Sequence, residues 1–566
     1  MQTLQWDKTV DVLIVGSGMG SVCAALVAKD AGLEPLIVEK LDKFGGTSAY
    51  SGGGVWIPNN HLMARDGVPD SFERSMQYVN AAIWHDGPAT TQARREAFVR
   101  NGRTALEYLE SKGLKLKRAK WWPDYHSDLP GGEQTSRTVV SALFDINELG
   151  EWKDRMAIPK IMPMRFSIDE LSTILLIKRT WPARLFALRF AFRLLAQILT
   201  GRDLRGCGVS LQGRLLQIAL RENIGIWLET PAEKLIVEDG GVVGVETRRE
   251  GKPFFIRARR GVLLNAGGFA RNAAMRERYG PWPVYAQCTN ASPGDTGEMI
   301  EAGMALGATT DCMDEAIWGV SSLAPDGSFP EGAVAADGTP SPFYHHLDIS
   351  LPHAIVVDQN GQRFADEACS YMELGQRLYR RHAETGKGIP AWAIIESRHR
   401  NRYTWGTVMG KTPQSWLDSG YMKQAATLED LAKQCGIDAA GLAATVDRFN
   451  GFCRAGADTD FHRGAKAFDL CHGDPTVKPN ANLGAIEQPP FYAVAINPGD
   501  VGTFGGLVTD EYARVLTAEG KVIEGLYATG TTSASFLGRT YAGSGASLGP
   551  SLTFGYIAAQ HMAAAS

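Results

Sequence analysis

"VDVLIVGSGMGSVCAALVAKDAG", residues 10–32, reads as a buried strand, a glycine-rich turn and a helix. "LEPLIVEK" (33–40) then supplies a second strand that ends at Glu39. Together they form the βαβ pattern of a dinucleotide-binding unit. Gly16 suits the tight turn, and Gly18 lets backbone approach a pyrophosphate. Ser21 is small enough for helix–strand packing where Gly or Ala is usual. Glu39 is placed to accept ribose hydroxyls, and Lys40 follows it. GxGxxG alone is a weak signal, but the flanking strand, helix and acid make this one specific.

The next segment selects the dinucleotide. "KLDKFGGTSAYSGGGVWIP" (40–58) follows the second strand directly. Gly45, Gly46, Thr47, Ser48, Ser51, Gly52 and Gly53 offer amides and hydroxyls to a pyrophosphate and a flavin ring. Two later fragments end strands in small residues: "GVLLNAGGFARN" (261–272), with Ala266 and Gly267, and "IEGLYATGTTSA" (523–534), with Gly530. The expected cofactor is FAD.

Composition sets the limits. The chain has 566 residues, enough for two or more domains, with 44% hydrophobic and 21% charged residues. A net charge of −4 argues against nucleic acid as a partner. Eight scattered cysteines form no CxxC pair, so reduced thiols are expected, with no metal site. "MQTLQWDKTVDVLIVGSG" lacks the features of a signal peptide. The expected location is the cytoplasm.

With these motifs the chain resembles the FAD flavoproteins that include fumarate reductase and soluble succinate dehydrogenase relatives. Within that group it resembles the 3-ketosteroid Δ1-dehydrogenases. The resemblance rests on "PDY" (123–125), "GQRFADEACSY" (361–371), "GTFGGLVTD" (502–510) and "TSASFLGRTYAGSGASLG" (532–549). It implies an α/β fold: a Rossmann-like FAD domain over 1–282 and 500–566, and a smaller α+β substrate-capping domain over 283–499. The stretch "GGTSAYSGG" has no His, so the FAD is expected to be noncovalent.

The resemblance also implies the chemistry, which is loss of two hydrogens beside a ketone. Tyr371 takes a proton from C2 as base, and Tyr125 hydrogen-bonds it. Tyr541 and the Gly545 amide hold the C3 oxygen, and the flavin takes the C1 hydride. Ser547 and Leu548 open the last helix toward the flavin pyrimidine. The implied partners are a 3-ketosteroid and an external electron acceptor, a quinone or another. Other readings are a Δ4(5α)-dehydrogenase, a different enone reductase, or a flavin-binding membrane module without activity. The Δ4(5α) branch resembles this chain but carries a serine two residues after the loop tyrosine, where Gly543 stands here.

Residues 157–206 form an apolar insert punctuated by arginines. Pro182 suits a helix start at N1 and Gly201 its end, giving about 18 residues, roughly 27 Å. Leu188, Phe192, Leu195 and Leu199 share one stripe; Arg189 and Arg193 share another side. Three arginines interrupt the helix, which makes it a poor membrane span. Two placements remain: a membrane surface, or burial against the main body or a second subunit.

Overall fold

The computed structural model describes residues 5–159, 165–334 and 338–565. Residues 1–4 of the leader reading and 160–164 of the insert lie outside them. The strand Lys8–Val15 runs parallel to Pro35–Val38 on one side and to Lys252–Leu264 on the other. Val12–Val15 are all buried, as expected of a strand covered on both faces. Gly225–Trp227 and Val522–Ala528 extend this sheet outward, and among the described residues it reaches eight strands. Chain from both ends thus meets in one sheet.

One face of the sheet is covered by the helices Met19–Asp30 and Leu548–Ala564. They approach very closely. A Cβ at Gly20 would lie 2.3 Å from the Ser551 carbonyl oxygen, and one at Gly555 would lie 2.5 Å from that of Gly20. The close packing therefore belongs to Gly20. Ser21 plays a different part. Its hydroxyl accepts from Asn265 Nδ2 at 2.8 Å, which ties the turn to the end of the strand Lys252–Leu264.

A second, six-stranded sheet runs in the order Phe343–Tyr344, Ala316–Ser322, Phe491–Thr503, Ala391–Glu396, Ala354–Val357, with Met422–Ala425 also paired to Phe491–Thr503. The strand Phe491–Thr503 runs straight through residue 500, where the sequence suggested a boundary. The helix Tyr371–Thr385 packs on this sheet, with Gly375 against Trp318. Ser370 caps it by accepting from the Glu373 amide at 3.2 Å, and Gly386 ends it in the left-handed region.

In the insert, the helix is Trp181–Thr200, 20 residues long. It begins one residue earlier than expected, because Thr180 accepts from the Ala183 amide as N-cap. Pro182 therefore sits at the second helical position. The apolar stripe points outward: Phe192 is 62% exposed and Leu199 77%. Arg193 instead turns inward onto Glu170, at 3.1 and 3.2 Å. Arg189 stays exposed, while Phe186, Phe190 and Leu194 are half-buried, so apolar residues lie on both sides of this helix. No described helix is long and apolar enough to cross a membrane. The insert is moored by Arg179 to Asp474 at 2.6 Å and by Lys117 to Asp169 at 2.8 Å.

Candidate active site

The glycine turn lies at the carboxyl end of the first strand. Gly16 has φ +96°, and a Cβ there would lie 2.2 Å from the Asn265 carbonyl oxygen, so only glycine fits. Gly18 caps the first helix without a side-chain hydrogen bond, and no acid lies in its first turn. Ser547 begins the last helix in the same uncapped way, with Leu548 as its first buried residue. Both helix N-termini present positive dipole ends to anionic groups, although in the first helix Gly20 already donates to Ser551 Oγ at 3.2 Å. Gly46 faces open space. These two helix ends and the open backbone at Gly46 fit an anionic dinucleotide such as FAD.

The remaining cofactor candidates divide into two kinds. Glu39 follows the second strand, but it already accepts from Ser17 Oγ at 2.6 Å, the Ser17 amide at 3.1 Å and the Leu41 amide at 3.0 Å. Burial pushes its pKa up against those bonds. Lys40 reaches away to Thr296 and Glu298. In the loop, Gly45 donates to Ser17 Oγ, Thr47 accepts from the Ser292 amide, and Ser48 accepts weakly from Met19. Ser51 donates to the Ser48 carbonyl and accepts from Gly53, while Gly52 packs on Ile168 of the insert. Ala266 donates to Thr532 Oγ1, Gly267 lies against Asp295, and Gly530 lies against Asn265. Ser17 and Asn265 link these pieces. Sequence reasoning passed over both, although both stand beside the glycines it singled out.

Three tyrosines from distant segments meet beside this loop. Ring centroids lie 5.5 Å apart for Tyr125–Tyr371, 5.6 Å for Tyr371–Tyr541 and 5.8 Å for Tyr125–Tyr541. The Tyr541 hydroxyl lies 2.9 Å from Ser547 Oγ. Loop 538–549 is glycine-rich yet firmly held. Tyr78 OH and the Tyr125 amide both donate to the Ala542 carbonyl, and the Trp56 amide donates to that of Gly545. Gly545 has φ +93°, and a Cβ there would lie 2.0 Å from the Gly54 carbonyl oxygen. Its glycines allow close backbone approach rather than looseness.

The surroundings of Tyr371 work against its ionisation. Burial pushes Tyr371 well above its ordinary value, and the neighbouring Tyr125 and Tyr541 push the same way. Burial also raises Tyr125 and Tyr541. For Tyr541, hydrogen bonds from Ser547, Tyr371 and the Gly545 amide oppose it. His346 packs edge-on against Tyr371 at 5.3 Å, and burial pushes it down to about 3, so it adds no charge. His345 joins Ser322 and Asp348 in a chain of 2.7 and 2.8 Å contacts. That chain is sealed, with Trp405 stacked on His345 at 4.2 Å, so it offers no nucleophile to a substrate. Donor atoms of His85, Asp311 and Cys312 also lie within 4.8 Å of one another, though Asp311 already accepts from the Ala89 and Cys312 amides.

The FAD binding domain family matches residues 11–548. The chain is 38% identical to the 3-oxosteroid 1-dehydrogenase of Mycolicibacterium smegmatis, over 98% of this chain and 97% of that one. It is 34% identical to the 4-oxocyclohexanecarboxylate 2-dehydrogenase of Sinomonas cyclohexanicum, over 98% and 93%. The crystal structure of the 3-ketosteroid delta1-dehydrogenase from Sterolibacterium denitrificans, in complex with 1,4-androstadiene-3,17-dione, superposes with a TM-score of 0.89. That pair shares 36% identity, over 99% of this chain and 100% of that one.

Proposed function

The chain belongs to the FAD binding domain family and, within it, to the 3-oxosteroid 1-dehydrogenases, and we propose that it desaturates the C1–C2 bond of 3-ketosteroids with three tyrosines and one backbone amide. It is an FAD-dependent oxidoreductase. Bound FAD supplies the acceptor for the hydride that leaves C1. The observation that carries the residue assignment is the meeting of Tyr125, Tyr371 and Tyr541 beside the uncapped last helix.

The roles divide among these groups. Tyr541 OH and the Gly545 amide donate to the C3 carbonyl, which gains negative charge as the C2 proton leaves. Tyr371 accepts that proton, and Tyr125 holds the Tyr371 hydroxyl in place. Tyrosine is an unfavourable base: forming phenolate at pH 7 costs roughly 4 kcal/mol from a pKa of ~10. Burial adds to this cost, so Tyr371 works by taking one proton as it passes another on. The cofactor is held noncovalently, and 283–499 caps it.

Position 543 favours Δ1 over Δ4(5α) chemistry. A Cβ at Gly543 would lie 2.4 Å from Trp56 Cδ1, so the serine of the Δ4(5α) branch has no room. The outward stripe of the helix Trp181–Thr200 supports attachment to a membrane surface, where a sterol-like substrate partitions.

Anaerobic addition of androst-4-ene-3,17-dione tests the activity. The yellow flavin should bleach, and a product two mass units lighter should form. A flavin that stays oxidised with this and other 3-ketosteroids rejects the reading.

A further inference from the structure

The proton taken from C2 needs a way out. Tyr125, Tyr371 and Tyr541, with raised pKa values, already carry their own protons at neutral pH and have no place for another. A cavity of about 300 Å³ touches Tyr541 and Ser370, the residue before Tyr371. At ~30 Å³ per molecule it has room for roughly ten waters. His126, Glu373 and Lys466 also line it.

His126 follows Tyr125 in the chain and lines the same cavity as Tyr541. Neither of its ring nitrogens has a hydrogen-bond partner among the described residues. Burial lowers its pKa, so it is a neutral imidazole with one donor and one acceptor. Such a ring accepts a proton on one nitrogen and releases one from the other. Glu373 lies two residues into the helix that begins at Tyr371, and Asp128 and Lys466 complete the charged groups that act on His126.

We propose that this cavity is the proton outlet of the dehydrogenation, with His126 as its relay; this rests on the function proposed above. The C2–H bond breaks, and its proton binds the Tyr371 oxygen. The Tyr371 hydroxyl proton passes to a neighbouring tyrosine oxygen, and that tyrosine's own proton passes through His126 and cavity water to solvent. The hydride from C1 goes to the bound FAD. One proton therefore reaches solvent for each double bond formed, and His126 returns to its starting state. His126 touches neither substrate nor cofactor, so it acts through the tyrosines.

His126→Ala holoenzyme, assayed at saturating steroid and acceptor, tests the outlet. The expected kcat loss is about 100-fold, the low end for lost proton transfer. Added imidazole should restore kcat, and the solvent deuterium isotope effect should rise above that of wild type. Binding of the dienone product, read from the flavin spectrum, should stay unchanged. If His126→Ala does not fold, His126→Asn replaces it; it keeps polarity but cannot pass a proton between two ring nitrogens. An unchanged kcat and isotope effect overturn the outlet, as does a loss of kcat that imidazole does not restore. Wild type that no ketosteroid bleaches overturns the function itself, and the outlet with it.

Discussion

Tyr541 and Tyr371 sit 5.6 Å apart, yet their hydroxyls should fail differently when removed. Tyr541→Phe should keep fold and FAD, because the loop is held by its backbone carbonyls and by Tyr78. Loss of one of two donors to the C3 oxygen should cost about 100- to 1000-fold in rate. It should also weaken binding of androsta-1,4-diene-3,17-dione, since the same hydroxyl holds the ground-state ketone. Tyr371→Phe should cost about 100- to 10000-fold and leave that binding nearly intact. A spectral titration of both variants separates the two roles; a Tyr541→Phe enzyme at near wild-type rate rejects the carbonyl site. The pH profile follows from the same residues. The raised pKa keeps Tyr371 protonated from pH 6 to pH 9, where it works by passing a proton on rather than as a preformed phenolate, so kcat/KM should show no tyrosine inflection in that range. His346, near 3, adds no inflection in that range. A climb of about tenfold per pH unit would mean a preformed phenolate and reject the relay.

The loop that carries Tyr125 is fixed by a buried ion cluster. Arg137 reaches Asp70 with two 2.8 Å bonds and Asp124 with one of 2.7 Å, and Trp56 Nε1 also donates to Asp124 at 2.8 Å. All three charged side chains are buried. Arg137→Leu would leave two carboxylates without their cation, a loss of about 3–5 kcal/mol. The denaturation midpoint of the holoenzyme should fall accordingly. Activity of the surviving fold should fall too, because Asp124 adjoins Tyr125. A variant as stable as wild type would show the cluster to be dispensable.

Two predictions concern the whole molecule. Trp181→Glu with Phe192→Glu and Leu199→Glu changes only exposed positions, so the flavin spectrum should not move. Wild type should pellet with anionic vesicles and the triple variant should stay in solution. Wild type that never pellets directs the stripe to a subunit contact instead. Acid or heat should release free FAD from the precipitated chain. Flavin retained in the pellet would mean a covalent bond that "GGTSAYSGG" offers no histidine to make.

The βαβ unit was legible in residues 10–40 because turn, helix start and strand depend on neighbours in the chain: Gly16 needs its left-handed φ wherever the rest of the molecule lies. FAD and the helix of the insert were legible for the same reason, since each is a local pattern or a family signature. What depends on distant residues was not. The hydrogen bond that defines the role of Ser21 comes from Asn265, 244 residues away. The 500 boundary fell inside the strand Phe491–Thr503, because pairing with Ala316–Ser322 and Ala391–Glu396 carries that strand across it. Periodicity placed Phe192 and Arg193 on different sides of one helix, but only the position of Glu170 shows which side faces in. The shift in the Tyr371 pKa followed the same rule. Burial and the influence of Tyr125 and Tyr541 exist only once three segments far apart in the chain have met.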